Sequence, residues 1–184
     1  YTDLISLYGH GFKNIVATLG TALTEDHAKV LKRYTKNVVT LFDGDQAGIK
    51  ASEKAMRHLL NDGLLVKGVY LPEGEDPDSY LENFGSKMLE AEIIAAKDLY
   101  IIYLDRLMKE NPSDQVSDKM KIAEKVGQVL GPMNSQHLKN LYVQETAFRL
   151  RVEVPWLQKL IVDSLQKNPA APQFRSSQVS PSNK

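Results

Sequence analysis

The N-terminal half of the chain switches between two hydrophobic periodicities, whereas the C-terminal half keeps only one. Leu4, Ile5, Leu7 and Tyr8 have helical spacing, and Gly9 and Gly11 end that segment. Asn14 to Ala17 is a short apolar run of strand type. After a Leu19-Gly20-Thr21 loop, Thr24 is placed as an N-cap, with Glu25 and Asp26 in the first turn of a helix reaching about Tyr34. Val38 to Phe42 is continuous, apolar and rich in β-branched residues, as expected for a strand buried on both faces. Gln46 to about Leu60 reads as a helix with Ala47, Ala51, Ala55, Leu59 and Leu60 as its apolar side. Leu65 to Leu71 reads as a further strand, ended by Pro72.

This alternation predicts an α/β fold with a largely parallel sheet and right-handed crossovers. Such sheets bind ligands outside the C-terminal ends of their strands. From Asp76 onward only the helical period remains. It predicts a short helix from Asp78 to Phe84 and a long one from about Lys87 to Glu110. Further helices are expected over Ser117–Leu130, Ser135–Val152 and Pro155–Gln166. Asn111-Pro112, Gly131-Pro132 and the Pro155 region supply the breaks. The expected division is an α/β domain over residues 1–85 and an all-α helical subdomain over 86–167. Residues 168–184, where Pro, Ser, Gln and Asn displace nearly all apolar residues, read as a flexible linker or tail. The chain opens on Tyr1, already inside an amphipathic pattern, and is expected to be a fragment.

Composition narrows the function classes. With 23 Lys and Arg against 23 Asp and Glu, the net charge is zero, so any strong grip on nucleic acid is expected to lie elsewhere. The absence of cysteine rules out disulfides and cysteine-based zinc sites in this sequence. No apolar run approaches a bilayer-spanning length.

The chemistry is carried by two acidic loops. Asp43 and Asp45 leave the end of a predicted strand two residues apart, with Gly44 between them to permit the turn. Carboxylates held this close repel one another unless a cation lies between them, and Mg²⁺ or Mn²⁺ suits one or two carboxylates completed by water and substrate phosphate. Alone, the pair is better explained by an Asx-turn at Asp43 followed by Asp45 capping the next helix. The run Pro72-Glu73-Gly74-Glu75-Asp76-Pro77-Asp78 places a second acidic loop after the next strand, which shifts the reading towards metal. Gly48 stands where a side chain would obstruct a phosphate or metal. Lys50, and the basic stretch of Lys32, Arg33 and Lys36, are weak candidates for nucleotide or nucleic-acid contact; solvated helix positions explain them as well. His10, His27, His58 and His137 show no ligand spacing and are assigned structural or surface roles. Trp156 is assigned to a helix-packing stripe.

Phe42-Asp43-Gly44-Asp45-Gln46-Ala47-Gly48, with Leu19-Gly20-Thr21-Ala22-Leu23-Thr24 upstream and Leu71-Pro72-Glu73-Gly74-Glu75-Asp76-Pro77-Asp78 downstream, resembles the Toprim core of bacterial DnaG-type primases. Tyr1-Thr2-Asp3 matches the end of that family's Glu-Gly-Tyr-Met-Asp motif, and the spacing of the four motifs matches too. More weakly, Lys121 to Ala123 and Leu141 to Leu150 resemble the helical subdomain of the polymerase core, and Pro155-Trp156-Leu157 its last helix before a linker. The resemblance implies a Toprim-type sheet flanked by helices and a catalytic set of Asp43, Asp45, Asp76 and Asp78. It implies Asp43, Asp45 and Asp76 as ligands of Mg²⁺ or Mn²⁺, with Asp3, Gly20, Thr21 and Gly48 in support. The family's glutamate is expected two residues before Tyr1.

The implied activity is metal-assisted synthesis of short RNA primers on single-stranded DNA from ribonucleoside triphosphates, in the cytoplasm. A replicative helicase is the implied partner, through a C-terminal domain absent from this chain, and zinc belongs to another absent domain. The fragment alone is expected to be inactive. A Toprim-type nuclease or topoisomerase, or a non-catalytic scaffold, are the alternatives.

Overall fold

A computed structural model describes residues 2–19, 22–112 and 114–167. Tyr1, Gly20, Thr21 and the 168–184 tail of the sequence-based expectations lie outside the described residues. Helix α1 (Thr2–Gly9) is followed by irregular chain and then by α2 (Glu25–Leu31). Thr24 caps α2 as expected: its hydroxyl accepts from the His27 amide at 3.3 Å, while His27 Nδ1 accepts from the Thr24 amide at 3.2 Å. Strand β1 (Asn37–Phe42) and strand β2 (Leu65–Tyr70) pair in parallel, from Asn37 opposite Leu65 to Phe42 opposite Tyr70, with α3 (Gln46–Asn61) as the crossover. Helices α4 (Pro77–Phe84) and α5 (Ser86–Ala95) lead to a two-residue strand β3 (Lys97–Asp98), antiparallel to β2. Four helices complete the described chain: α6 (Leu99–Glu110), α7 (Val116–Leu130), α8 (Gln136–Leu150) and α9 (Val154–Lys167).

The sheet order is β1-β2-β3, and β2 carries the core on both faces. Val66 and Val69 are an odd number of residues apart and so face opposite ways. Val69 packs with Leu7 of α1, Tyr80 and Leu81 of α4 and Leu89 of α5. Val66 joins the larger core, which runs without interruption from Met56, Leu59 and Leu60 of α3 through Leu99 to Leu107 of α6 and on to Leu157 and Ile161 of α9. Each leucine fully buried there contributes about 1.5–3 kcal/mol. No described helix is long and apolar enough to cross a membrane.

Three expectations fail, each for a physical reason. Residues 14–17 form no strand: Phe12 and Ile15 pack against the smaller core, but Val16 is 72% exposed and no described strand lies alongside to accept the backbone hydrogen bonds. Strand β1 is not buried on both faces, because β2 is its one described neighbour and Val39 faces solvent. The long helix expected from Lys87 to Glu110 is broken. Ala96 leaves helical geometry at φ −53° and ψ 130°, Lys97 and Asp98 pair with β2, and Asp98 restarts the chain as an N-cap. Its carboxylate accepts from the amides of Tyr100 at 2.9 Å and Ile101 at 3.2 Å, and from the Tyr142 hydroxyl at 2.7 Å. Gly68 makes the break possible, since a Cβ there would collide with the Leu99 side chain that seats α6 on the sheet.

Candidate metal centre

The parallel register sets the heights of the two acidic loops. Phe42 and Tyr70 are partners, so β1 and β2 end level, and the ladder closes with the Leu71 amide donating to the Phe42 carbonyl at 2.9 Å. The next residue on one side is Asp43; on the other the Pro72–Asp76 loop begins. Gly44 then packs directly on that loop: a Cβ at this position would overlap the Leu71 carbonyl oxygen and crowd the Glu73 amide at 3.3 Å. Sequence reasoning gave Gly44 only the turn. Its larger part is to let the two loops touch.

Gly48 has a comparable role on the other side. It is buried in the first turn of α3, and a Cβ there would overlap the Asp43 carbonyl oxygen. The space expected for a phosphate or metal is therefore taken by the Asp43 backbone, and the glycine sets how closely α3 approaches the end of β1. Asp45 is the N-cap of α3, its Oδ1 accepting from the Gly48 amide at 2.6 Å. Asp76 is the N-cap of α4, accepting from the Ser79 amide at 2.8 Å, while the Ser79 hydroxyl accepts from the Asp76 amide at 3.0 Å. Ser79 was missed at the level of sequence, although Asp76-Pro77-Asp78-Ser79 has the spacing of a capping box.

Charge gathers at Asp43. Loss of water pushes its carboxyl above the usual range, and repulsion from Asp45, Asp76 and Asp3 pushes it further. Asp76 moves the other way, chiefly because the Ser79 amide stabilises its ionised form. Asp3, Asp45 and Asp76 thus lie near enough for their charge to act on Asp43. Asp78 sits in the first turn of α4, and its charge is not among those acting on Asp43. Lys50 is exposed on α3, and Lys32 and Arg33 are exposed at the end of α2; none of the three joins the acids. The histidines behave as expected where the structure gives them a partner: His27 caps α2, and His10 is bonded to the Ser6 carbonyl at 2.9 Å.

The donor set fits a hard divalent cation in kind, because every candidate ligand is a carboxylate oxygen and their mutual repulsion is what a cation would relieve. It is not a pre-built cage. Among the described residues no three acidic, histidine or cysteine side chains are gathered closely enough to hold a metal ion. Asp45 and Asp76 each commit one oxygen to a helix cap.

Comparison with known proteins agrees with this architecture. Residues 1–81 match the Toprim-like family model. The DNA primase of Aquifex aeolicus is 46% identical over 100 residues, which are 54% of this chain and 20% of that protein. A DNA primase domain from Pseudomonas aeruginosa superposes with a TM-score of 0.81 at 34% identity, covering 88% of this chain and 52% of that one. A DnaG primase catalytic domain bound to ssDNA superposes with a TM-score of 0.71 at 29% identity, covering 80% of this chain and 48% of that one. The chain spans 20% to 30% of the length of the first curated DNA primases it matches.

Proposed function

We propose, from the premise that this chain is a Toprim core fragment of a DnaG-type primase, that its acidic site serves nucleotidyl transfer in primer synthesis. The observation that carries the reading is the contact of the two acidic loops at Gly44, with the charges of Asp45, Asp76 and Asp3 acting on the partly desolvated Asp43 carboxyl. Asp43, Asp45 and Asp76 are the proposed ligands of Mg²⁺ or Mn²⁺, with Asp45 and Asp76 held in place by their helix caps. A magnesium site of this kind takes one or two carboxylates and completes its octahedron with water and substrate phosphate, so a three-ligand protein cage is not required. When bound, the ion lowers the pKa of the attacking hydroxyl and neutralises charge on the triphosphate. The chain's own part is positioning: Gly44 and Gly48 hold the two loops and α3 together, and the caps fix the carboxylates on rigid elements. Asp3 and Asp78 act at the edge of the site.

The proposed division places the α/β domain at 1–85 and the helical subdomain at 86–167, the second packed on the first through their shared core. Single-stranded DNA as template, ribonucleoside triphosphates as substrates, an RNA primer as product and a replicative helicase as partner are proposed for the longer protein in the cytoplasm. The DNA-bound relative supports the first of these. Lys50, Lys32 and Arg33 are assigned weak contacts with nucleotide or nucleic acid. One observation favours the scaffold alternative: two of the four acids already have a structural task as caps.

The test is primer synthesis by Asp43→Ala and Asp45→Ala variants of the full-length protein, alongside Mn²⁺ titration followed by electron paramagnetic resonance. Loss of synthesis and of Mn²⁺ binding, with an unchanged circular dichroism spectrum, is the expected outcome. Near-normal synthesis by either variant overturns the assignment.

A further inference from the structure

The second acidic loop holds more carboxylates than the proposed metal centre uses, and the structure sorts them. Asp76 acts on Asp43, whereas Glu75, its neighbour in the chain, is not among the charges that do. Glu75 acts instead on Tyr80 of α4, whose hydroxyl is raised above its usual range by burial first, then by Glu92 and Glu75. Tyr80 is buried in the smaller core, so two adjacent acids of one loop are turned to different surroundings.

Two features produce this division. Gly74 has φ +87°, in the left-handed region that glycine enters freely, and a Cβ there would meet nothing within 4 Å. This glycine is needed for the turn and not for room. Beyond it the Glu75 amide donates to the Pro72 carbonyl at 3.0 Å, and the Glu75 side chain reaches along α4. There the Asn83 side-chain amide donates to Glu75 Oε1 at 3.0 Å and to Oε2 at 3.2 Å. Both carboxylate oxygens are held to the last turn of α4.

The chemistry of the site gives that tie a purpose. Mg²⁺ takes one or two carboxylates and leaves its other places to water and substrate phosphate, whereas Ca²⁺ takes about six to eight oxygens. A further carboxylate at the ion would occupy places meant for phosphate and favour the larger cation. We propose that Asn83 is a positioning residue of the metal centre, holding Glu75 on α4 so that Glu75 stays out of the ion's coordination and Asp76 is the ligand this loop offers. The proposal rests on the metal reading above and adds to it the choice between neighbouring acids.

The experiment follows Mn²⁺ bound to the full-length protein by electron paramagnetic resonance, with Ca²⁺ as competitor. In Asn83→Ala the freed carboxylate should lower the Ca²⁺ concentration that displaces Mn²⁺ about fivefold, the equilibrium worth of one ordinary hydrogen bond. Asn83→Asp, the same shape with the donor replaced by a like charge, should do the same. Adding Glu75→Gln to Asn83→Ala should return displacement to the wild-type value, and Glu75→Gln alone should change it little. Asn83 is exposed and alanine suits a helix, so the fold is retained, which circular dichroism checks. Equal displacement in the wild type and both Asn83 variants overturns the proposal. So does a joint weakening of both ions that Glu75→Gln fails to reverse, which is what mere loosening of α4 would give. Wild-type protein that binds Mn²⁺ no better than Asp43→Asn overturns the metal reading itself and this proposal with it; that comparison involves no variant at 75 or 83, so the two failures are distinct.

Discussion

Replacing Gly48 with alanine sets two physical effects of opposite sign against each other. Helix propensity favours the change, because alanine in a helix is better than glycine by about 1 kcal/mol. Packing opposes it. The new Cβ would overlap the Asp43 carbonyl oxygen and press on the Asp43 carbonyl carbon at 3.0 Å and the Asp43 nitrogen at 3.2 Å. All three are backbone atoms at the end of β1, so no side-chain rotation relieves the contact, and α3 must shift. Overpacking of this kind costs about 1–3 kcal/mol. The shift also stretches the 2.6 Å cap between the Gly48 amide and Asp45, and a lost cap costs about 1 kcal/mol. The costs outweigh the propensity gain, leaving a net destabilisation of about 1–3 kcal/mol. For a chain of this size that lowers Tm by about 2–12 °C. Differential scanning calorimetry reads it directly. Gly9→Ala is the control: Gly9 ends α1, a Cβ there meets nothing within 4 Å, and no loss of Tm is expected. A Gly48→Ala protein as stable as the wild type, or more so, refutes the packing argument and with it the proposed coupling of α3 to the acidic loop.

Two further outcomes are expected. The Thr146 hydroxyl donates to the Tyr142 carbonyl at 2.7 Å and accepts from the buried Tyr100 hydroxyl at 2.5 Å, so Thr146→Val strands the tyrosine and should cost about 1–3 kcal/mol. Adding Tyr100→Phe should recover part of that loss in urea unfolding; a purely additive double variant contradicts the hydrogen-bond account. His58, at the end of α3, is held below its usual pKa by loss of water first and by Lys54 next. The folded chain therefore binds fewer protons there than the unfolded one, and stability is intact above the ordinary histidine value and falls as pH drops through it. His58→Gln should flatten the fall in Tm between about pH 7.5 and 5.5, and an unchanged slope counts against this assignment.

Much of the fold was legible because its signals are local. Thr24 as a cap, α3 from Gln46, β2 ending short of Pro72 and the helical second half all follow from periodicity and capping chemistry, which neighbouring residues supply. The same holds for the acidic pair Asp43 and Asp45 as a candidate site. The failures share one cause: each depends on a distant partner. Asn14 to Ala17 has a strand's composition but no described ladder to join. The helix expected through Ala96 breaks because β2 offers Lys67 and Gly68 to Lys97 and Asp98, and because Asp98 then caps α6 and holds Tyr142.

The sequence by itself determined the residue types at the strand ends, the helix caps and the four-motif spacing, since these are properties of short segments. Only the tertiary structure decided that the two acidic loops meet. The parallel register levels β1 with β2, and glycines at 44 and 48 let the loops and α3 approach to backbone contact. That approach places Asp45 and Asp76 where their charge acts on Asp43. Electrostatic repulsion falls with distance through space, not along the chain, so no reading of one segment alone contains it.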